Sequence, residues 1–326
     1  MDRRTACATL VALSTVTAIS ARAQTARIAR VAWASVDRAQ PESPFLLAFR
    51  GAMRELGWIE GRNLSIDTWW GGGSVDGLRK LVPEILAKEP HVIVSAGGPA
   101  TRAMIDTNVR LPVAFTSSAD AVIAKIVESW AKPGGNRTGI SFFALELIPK
   151  RIDLIKEAVP GLKRIAIIGW PPHAGELLEL EAASSAAKKL GLDHRYWGVN
   201  TAPELDAALE SLAQWKADAM LVFAGAISTA YPDRIAAFAV RSRIPAFSSW
   251  AEFAEKGNVM TYGPILKECY ARLASFVDRI LKGAKPADLP VERPTKFELV
   301  INMKAAKALG MVVAQSTLLR ADRLIE

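Results

Sequence analysis

From residue 28 onward, short apolar runs alternate with longer stretches whose apolar residues fall at helical spacing, and this alternation confines the chain to a parallel α/β fold. Ile28-Ala29-Arg30-Val31-Ala32-Trp33 reads as a strand. A helix follows over 45–56, with Phe45, Ala48, Phe49, Ala52, Met53 and Leu56 on one face and Gly57 as its stop. Residues 64–69 give a second strand and 78–87 a second helix. His91-Val92-Ile93-Val94-Ser95 and Pro112-Val113-Ala114-Phe115-Thr116 repeat the unit, with helices predicted from residue 100 and over 121–130. Strands covered on both faces read as continuous apolar runs, and their alternation with helices implies parallel pairing.

Lys132-Pro133-Gly134-Gly135-Asn136 interrupts this rhythm, which then restarts with strands at 164–168, 194–199 and 219–224 and helices at 175–190, 204–215 and 232–241. The Gly-rich segment is therefore predicted to carry the chain from one sheet to a second, with further crossings near Trp250 and near residue 285. Val259-Met260-Thr261-Tyr262 is predicted to return to the first lobe, followed by a long helix over 265–281. A strand at 297–301 and a helix at 304–309 complete the second lobe. A length of 326 residues suits two such units of about 100–150 residues each.

The N-terminus has the pattern of an export signal. Arg3 and Arg4 precede an uncharged apolar run over 6–20, and Ala21-Arg22-Ala23 fits a small-x-small cleavage site, so residues 1–23 are predicted to be a signal peptide. The run is shorter than the roughly 20 apolar residues of a membrane span and is diluted by Thr and Ser. Cys7 lies at the start of the apolar run and not after it, so it is not where a lipid-bearing cysteine would stand. Cleavage leaves Cys269 alone, with no internal disulfide to make.

Several function classes are excluded. Half the residues are hydrophobic and 23% are charged, a globular balance. The net charge of +8 is scattered and mixed with acids, as in Lys150-Arg151-Ile152-Asp153, so no nucleic-acid partner is expected. No strand runs into G-x-G-x-x-G, and no G-x-S-x-G elbow occurs. Gly72 and Gly77 have P-loop spacing, but Leu78-Arg79 stands where Lys-Ser/Thr is required. His91, His173 and His194 are not in metal-ligand spacing. No catalytic residue, cofactor or metal is predicted. His173 lies in a loop ahead of a helix, within reach of a ligand.

Open α/β sheets bind ligands beyond the carboxyl ends of their strands, which selects particular loops. Ser35, Ser95, Gly97, Gly98, Pro99, Thr116, Ser117 and Asp120 are the candidates of the first lobe. Trp170, Pro172, Gly225 and Trp250 are those of the second lobe and its hinge. The loops are small, hydroxyl-rich and placed ahead of helices, where free backbone N–H groups receive a carboxylate or another anion. Gly97 and Gly98 allow close approach to the main chain. Trp170 and Trp250 offer walls for a planar group. Asp120 is the first acidic candidate for an ammonium or hydroxyl, and Asp37 the second. Trp69 and Trp70 point to opposite faces if extended, so at most one faces a cleft.

The stretch from Lys282-Gly283-Ala284-Lys285-Pro286 through Arg293-Pro294-Thr295-Lys296-Phe297-Glu298-Leu299-Val300-Ile301-Asn302 closely resembles the ABC-transporter substrate-binding family that includes tryptophan/tyrosine uptake binding proteins. Glu55-Leu56-Gly57-Trp58-Ile59-Glu60-Gly61-Arg62-Asn63-Leu64, Lys132-Pro133-Gly134-Gly135-Asn136 and Tyr262-Gly263-Pro264 extend the resemblance over the mature chain. Asp120-Ala121-Val122 stands where the family usually has Asp-Pro-Val, and Trp170-Pro171 near its usual Asn-Pro. The resemblance implies a type I periplasmic binding protein: two Rossmann-like parallel-sheet lobes joined by a multi-strand hinge. Lobe one is expected over 24–138 plus 258–284, and lobe two over 139–257 plus 285–326. It also implies a periplasmic monomer that hands a small-molecule solute to an ABC permease in the inner membrane; the helix termini, with Trp170 and Trp250, point to a carboxylate-bearing aromatic or cyclic solute. Docking to a membrane receptor or kinase is the other role such a clamp serves.

Overall fold

The computed structural model describes residues 28–326 except residue 143, so the predicted signal peptide and Cys7 lie outside the described residues. The first sheet has five strands: β1 (Ala29–Ser35), β2 (Leu64–Trp70), β3 (Val92–Ala96), β4 (Val113–Ser117) and β5 (Arg137–Ser141). They are all parallel and lie in the order β2-β1-β3-β4-β5. The second sheet has seven: β6 (Arg164–Gly169), β7 (Asp193–Gly198), β8 (Ala219–Val222), β9 (Ala246–Ser248), β10 (Met260–Pro264), β11 (Phe297–Asn302) and β12 (Arg323–Ile325). Their order is β12-β11-β10-β9-β8-β6-β7, with β10 and β11 antiparallel and the other pairs parallel.

The apolar runs form central strands because helices cover both faces. Every residue of β3, β4 and β8 is buried. One face of the first sheet packs on the helices Pro44–Glu55 and Leu266–Leu281 through Leu46, Phe49, Leu273 and Val277. The other packs on Val75–Ala87 and Gly98–Asp106 through Leu78, Ile85, Ala103 and Met104. Cys269 sits in the first of these layers as a small buried residue. The P-loop-like glycine spacing has a packing cause: a Cβ on Gly77 would overlap the Gly71 carbonyl.

Three expectations are corrected. The Gly-rich break is not a crossing; Gly134 and Gly135 adopt φ of 68° and 57° and turn the chain into β5, which pairs with β4 in the first sheet. Residues 139–141 therefore belong to the first sheet. The strand at Met260–Pro264 does not return to the first lobe; it lies between β9 and β11 in the second sheet. Only the helix Leu266–Leu281 goes back, to pack on Pro44–Glu55. Residues 121–130 form turns rather than a helix, with Lys125 at φ 54°. A left-handed residue there stops any helical ladder.

The chain crosses between sheets after β5, after β10 and again before β11. The last passage lies along the first: Ser141 N donates to Glu292 O at 3.0 Å and Glu292 N to Gly139 O at 2.9 Å. Thr138 Oγ1 adds a bond to Leu289 O at 2.6 Å.

Candidate functional site

The carboxyl ends of both sheets face one another across a cleft that encloses a cavity of about 250 Å³. Loops after β1, β2, β3 and β4 bring Ser35, Asp37, Gly72, Gly97, Gly98 and Ser118 to it. The second lobe contributes His173, Gly225, Tyr231 and Trp250. The walls are aromatic. Tyr270 stacks on Phe45 with ring centroids 4.8 Å apart and lies 5.5 Å from Trp33. Trp250 stacks on Phe253 at 5.5 Å and meets the edge of Phe142 at 6.0 Å. Trp33 and Trp250 line the cavity, and their indole N–H groups are buried without a partner. Buried donors of this kind normally find acceptors, so they favour a ligand that supplies one.

The polar groups are few and fixed. Ser35 Oγ donates to Asp37 Oδ2 at 2.7 Å, and Asp37 N donates to Ser35 Oγ at 3.2 Å. Asp37 is the one acidic residue lining this cavity among the described residues. Burial pushes its carboxyl above the usual range, and the Ser35 bond pulls it back. At the end of the adjacent strand the helix Gly98–Asp106 begins, preceded by Gly97 at φ 93°. Its first-turn amides lack intrahelical partners, and Pro99 has no N–H, so of the two first helical residues, which both line the cavity, only Gly98 offers a backbone donor.

Ser35, Gly97, Gly98, Pro99, Gly225 and Trp250 thus meet at one cavity, as the strand-end rule predicts. Ser117, Trp170 and Pro172 line a neighbouring cavity of about 500 Å³, which shares Gly98, Pro99 and His173 with the first. Ser95, Thr116 and Asp120 line neither cavity. Ser95 Oγ bonds Thr101 Oγ1 at 2.9 Å in a fully buried position. Thr116 Oγ1 accepts from Gly97 N at 2.8 Å and donates to Tyr270 OH at 3.1 Å. Asp120 Oδ1 accepts from Val122 N and Ile123 N at 2.8 and 2.9 Å and so closes the turn that follows it. Trp70 lines the cavity while Trp69 packs into the core on the other side. Trp33, Phe45 and Tyr270 line the cavity too, and the sequence reading did not single them out. Tyr270 comes from mid-helix, where local pattern marks it only as core.

His173 ties the lobes together. Its Nε2 is 2.8 Å from Ser118 Oγ, across the cleft. Its Nδ1 lies 3.7 Å from Glu179 Oε1 and 4.0 Å from Glu176 Oε2. Burial pushes the imidazole down to about 4, so it is neutral near pH 7. Burial, with help from the nearby Glu176 carboxyl, pushes Glu179 up to about 8. Tyr196 OH donates to Glu176 Oε1 at 2.8 Å, and Arg151 Nε donates to the Tyr262 carbonyl at 2.8 Å. Gly169, ending β6, makes room for this cluster: a Cβ there would overlap Glu176 Oε1. Among the described residues no group of His, Cys, Asp and Glu is arranged to hold a metal ion.

A family model described as ABC transporter substrate binding protein matches residues 47–325. The chain is 24% identical to the tyrosine-binding protein of Clostridioides difficile (strain R20291) over 263 residues, covering 81% of this chain and 75% of that protein. It is similar to the crystal structure of a conserved domain protein from Vibrio cholerae, with a TM-score of 0.83 and 25% identity over 91% of this chain and 100% of that one. An ABC domain from Streptococcus pneumonia in complex with L-Trp gives a TM-score of 0.82 at 23% identity, with the same coverage. These likenesses are those of type I periplasmic binding proteins. Among the described residues no helix is long and apolar enough to cross a membrane.

Proposed function

The chain belongs to the ABC transporter substrate-binding protein family, and from that premise we propose that it captures an aromatic amino acid, or a carboxylate-bearing solute of that size, for an ABC permease. The family is one of substrate-binding proteins rather than enzymes. The observation that carries the solute reading is the cavity of about 250 Å³ between the strand ends, walled by aromatic rings and holding one half-buried acid. In this reading the ring lies among Trp33, Phe45, Trp250 and Tyr270. The ammonium pairs with Asp37. The carboxylate meets Gly98 N–H and the Ser118 hydroxyl, at the positive end of the helix Gly98–Asp106. The tyrosine and tryptophan in the descriptions of the similar proteins support this choice.

Capture works by closure. A solute touching both lobes favours the closed arrangement because only that arrangement makes both sets of contacts. The export pattern of residues 1–23 supports a periplasmic location, where the closed form meets its permease. Calorimetry on the mature chain tests the reading: L-tyrosine or L-tryptophan is expected to bind, and a neutral sugar is not. Binding of sugars with no response to either amino acid overturns it.

A further inference from the structure

We propose that His173 is a positioning residue that links a buried acid of the second lobe to the solute: Glu179 fixes which ring nitrogen carries the proton, His173 relays that choice across the cleft, and the Ser118 hydroxyl faces the solute as a donor. The inference rests on the reading of the smaller cavity as the solute site.

The geometry is a chain of three groups. Ser118 lines the cavity, is 6% exposed, and sits 2.8 Å from His173 Nε2. Behind the ring, Nδ1 and Glu176 Oε2 are buried without hydrogen-bond partners, and Glu179 Oε1 approaches Nδ1 to 3.7 Å. That approach is longer than a hydrogen bond, and the relay requires the Glu179 carboxyl to close on Nδ1 by about half an ångström or more. A serine hydroxyl has one proton. If the imidazole takes that proton, Ser118 offers the solute only lone pairs. If Nε2–H donates instead, Ser118 is free to donate its own proton to a solute carboxylate.

The state of Glu179 decides between these. Below about pH 8 its carboxyl is neutral and donates toward Nδ1, so the ring proton sits on Nε2. Above that pH the carboxylate accepts from Nδ1–H, Nε2 becomes an acceptor, and Ser118 turns its proton away from the solute. The groups facing this chain are Glu176 and Glu179 on the helix Glu176–Lys189, and Arg151 and Glu146 on the helix Ala144–Ala158. Tyr196 of β7 holds Glu176, and the Tyr262 carbonyl of β10 holds Arg151. The two cavities that His173 lines also carry Asp37 with Arg38, and Arg79 and Arg102 paired with Asp76 and Asp106. Burial lowers Arg151, but a guanidinium keeps its charge across the pH range in question, and the imidazole, at about 4, stays neutral.

Calorimetry of L-tyrosine binding to the full chain, wild type against Glu179→Gln from pH 6.5 to 9.5, reads the relay. Ionisation of the ligand is common to both proteins and cancels in their ratio. A glutamine amide donates toward Nδ1 at every pH, so wild type is expected to weaken about tenfold relative to the variant as pH rises through 8. A constant ratio overturns the proposal. His173→Phe is expected to bind about tenfold more weakly at pH 7, with partial rescue in His173→Gln, whose amide donates to Ser118; equal loss in both variants also overturns it. If neither L-tyrosine nor L-tryptophan binds wild type, the solute reading fails, and the relay is read in the free protein from ¹⁵N shifts of the His173 ring, assigned with His173→Phe. The Nε2–H form is then expected at pH 7, giving way to Nδ1–H above 8. A ring already in the Nδ1–H form at pH 7 sinks the relay.

Discussion

The Ser35 hydroxyl donates to Asp37 Oδ2 at 2.7 Å, so the one acid that lines the smaller cavity among the described residues is held by the strand end that presents it. Asp37→Asn keeps the shape and removes the charge. A hydrogen bond between charged groups is worth about 1.5–3 kcal/mol, so affinity for L-tyrosine is expected to fall about tenfold or more. Affinity for a ring acid lacking the ammonium, such as 3-phenylpropionate, is expected to change about twofold or less. Calorimetry of both ligands on both proteins makes the comparison.

Gly169 carries the buried carboxyl cluster by having no side chain. Gly169→Ala places a methyl group against Glu176 Oε1 and the Tyr196 ring. Overpacking of this kind costs about 1–3 kcal/mol, and urea unfolding followed by circular dichroism is expected to show a loss in that range.

Glu252 provides a test of pH-linked stability. Burial, as the largest cause, pushes it up to about 7, and its Oε2 has no partner. The unfolded chain ionises this group from about pH 4.5, while the folded chain keeps it protonated to about 7. The unfolded state therefore binds fewer protons in that window, and stability falls as pH rises through it. Glu252→Gln removes this term. The variant is expected to gain on wild type between pH 4.5 and 7, by on the order of 2 kcal/mol, and to gain nothing further above 7. Denaturant midpoints at several pH values read the difference.

Cys269 is 5% exposed, and burial pushes its thiol up to about 12. Because the thiolate is the reactive form, iodoacetamide is expected to label the mature folded chain at pH 8 at least about a hundredfold more slowly than the urea-unfolded chain. Mass spectrometry over time measures both rates.

The strands that helices cover on both faces were readable from sequence, since β3, β4 and β8 could be nothing but apolar runs. The assignment of a strand to a sheet was not. Met260–Pro264 has the same apolar character whichever sheet it joins, and its antiparallel partner Phe297–Asn302 lies beyond an intervening helix that returns to the first lobe. Gly134 and Gly135 mark a sharp turn, which a sequence shows, but not whether the next strand stays in the same sheet. The strand-end rule selects Ser35, Gly97 and Gly98, which line the cavity, and also Ser95 and Thr116, which do not and whose hydroxyls bond Thr101, Gly97 and Tyr270. The pairing of Ser118 with His173 joins residues 55 positions apart on different lobes, and no local pattern encodes it.

Glu292 docks on the backbone of Gly139 and Ser141, so two passages between the lobes are strapped together side by side. Such a double ribbon resists sliding of one half of the molecule over the other yet bends readily about its own width. Extra residues inserted between 289 and 296 would slacken one edge and alter the resting gape, with the two sheets themselves untouched.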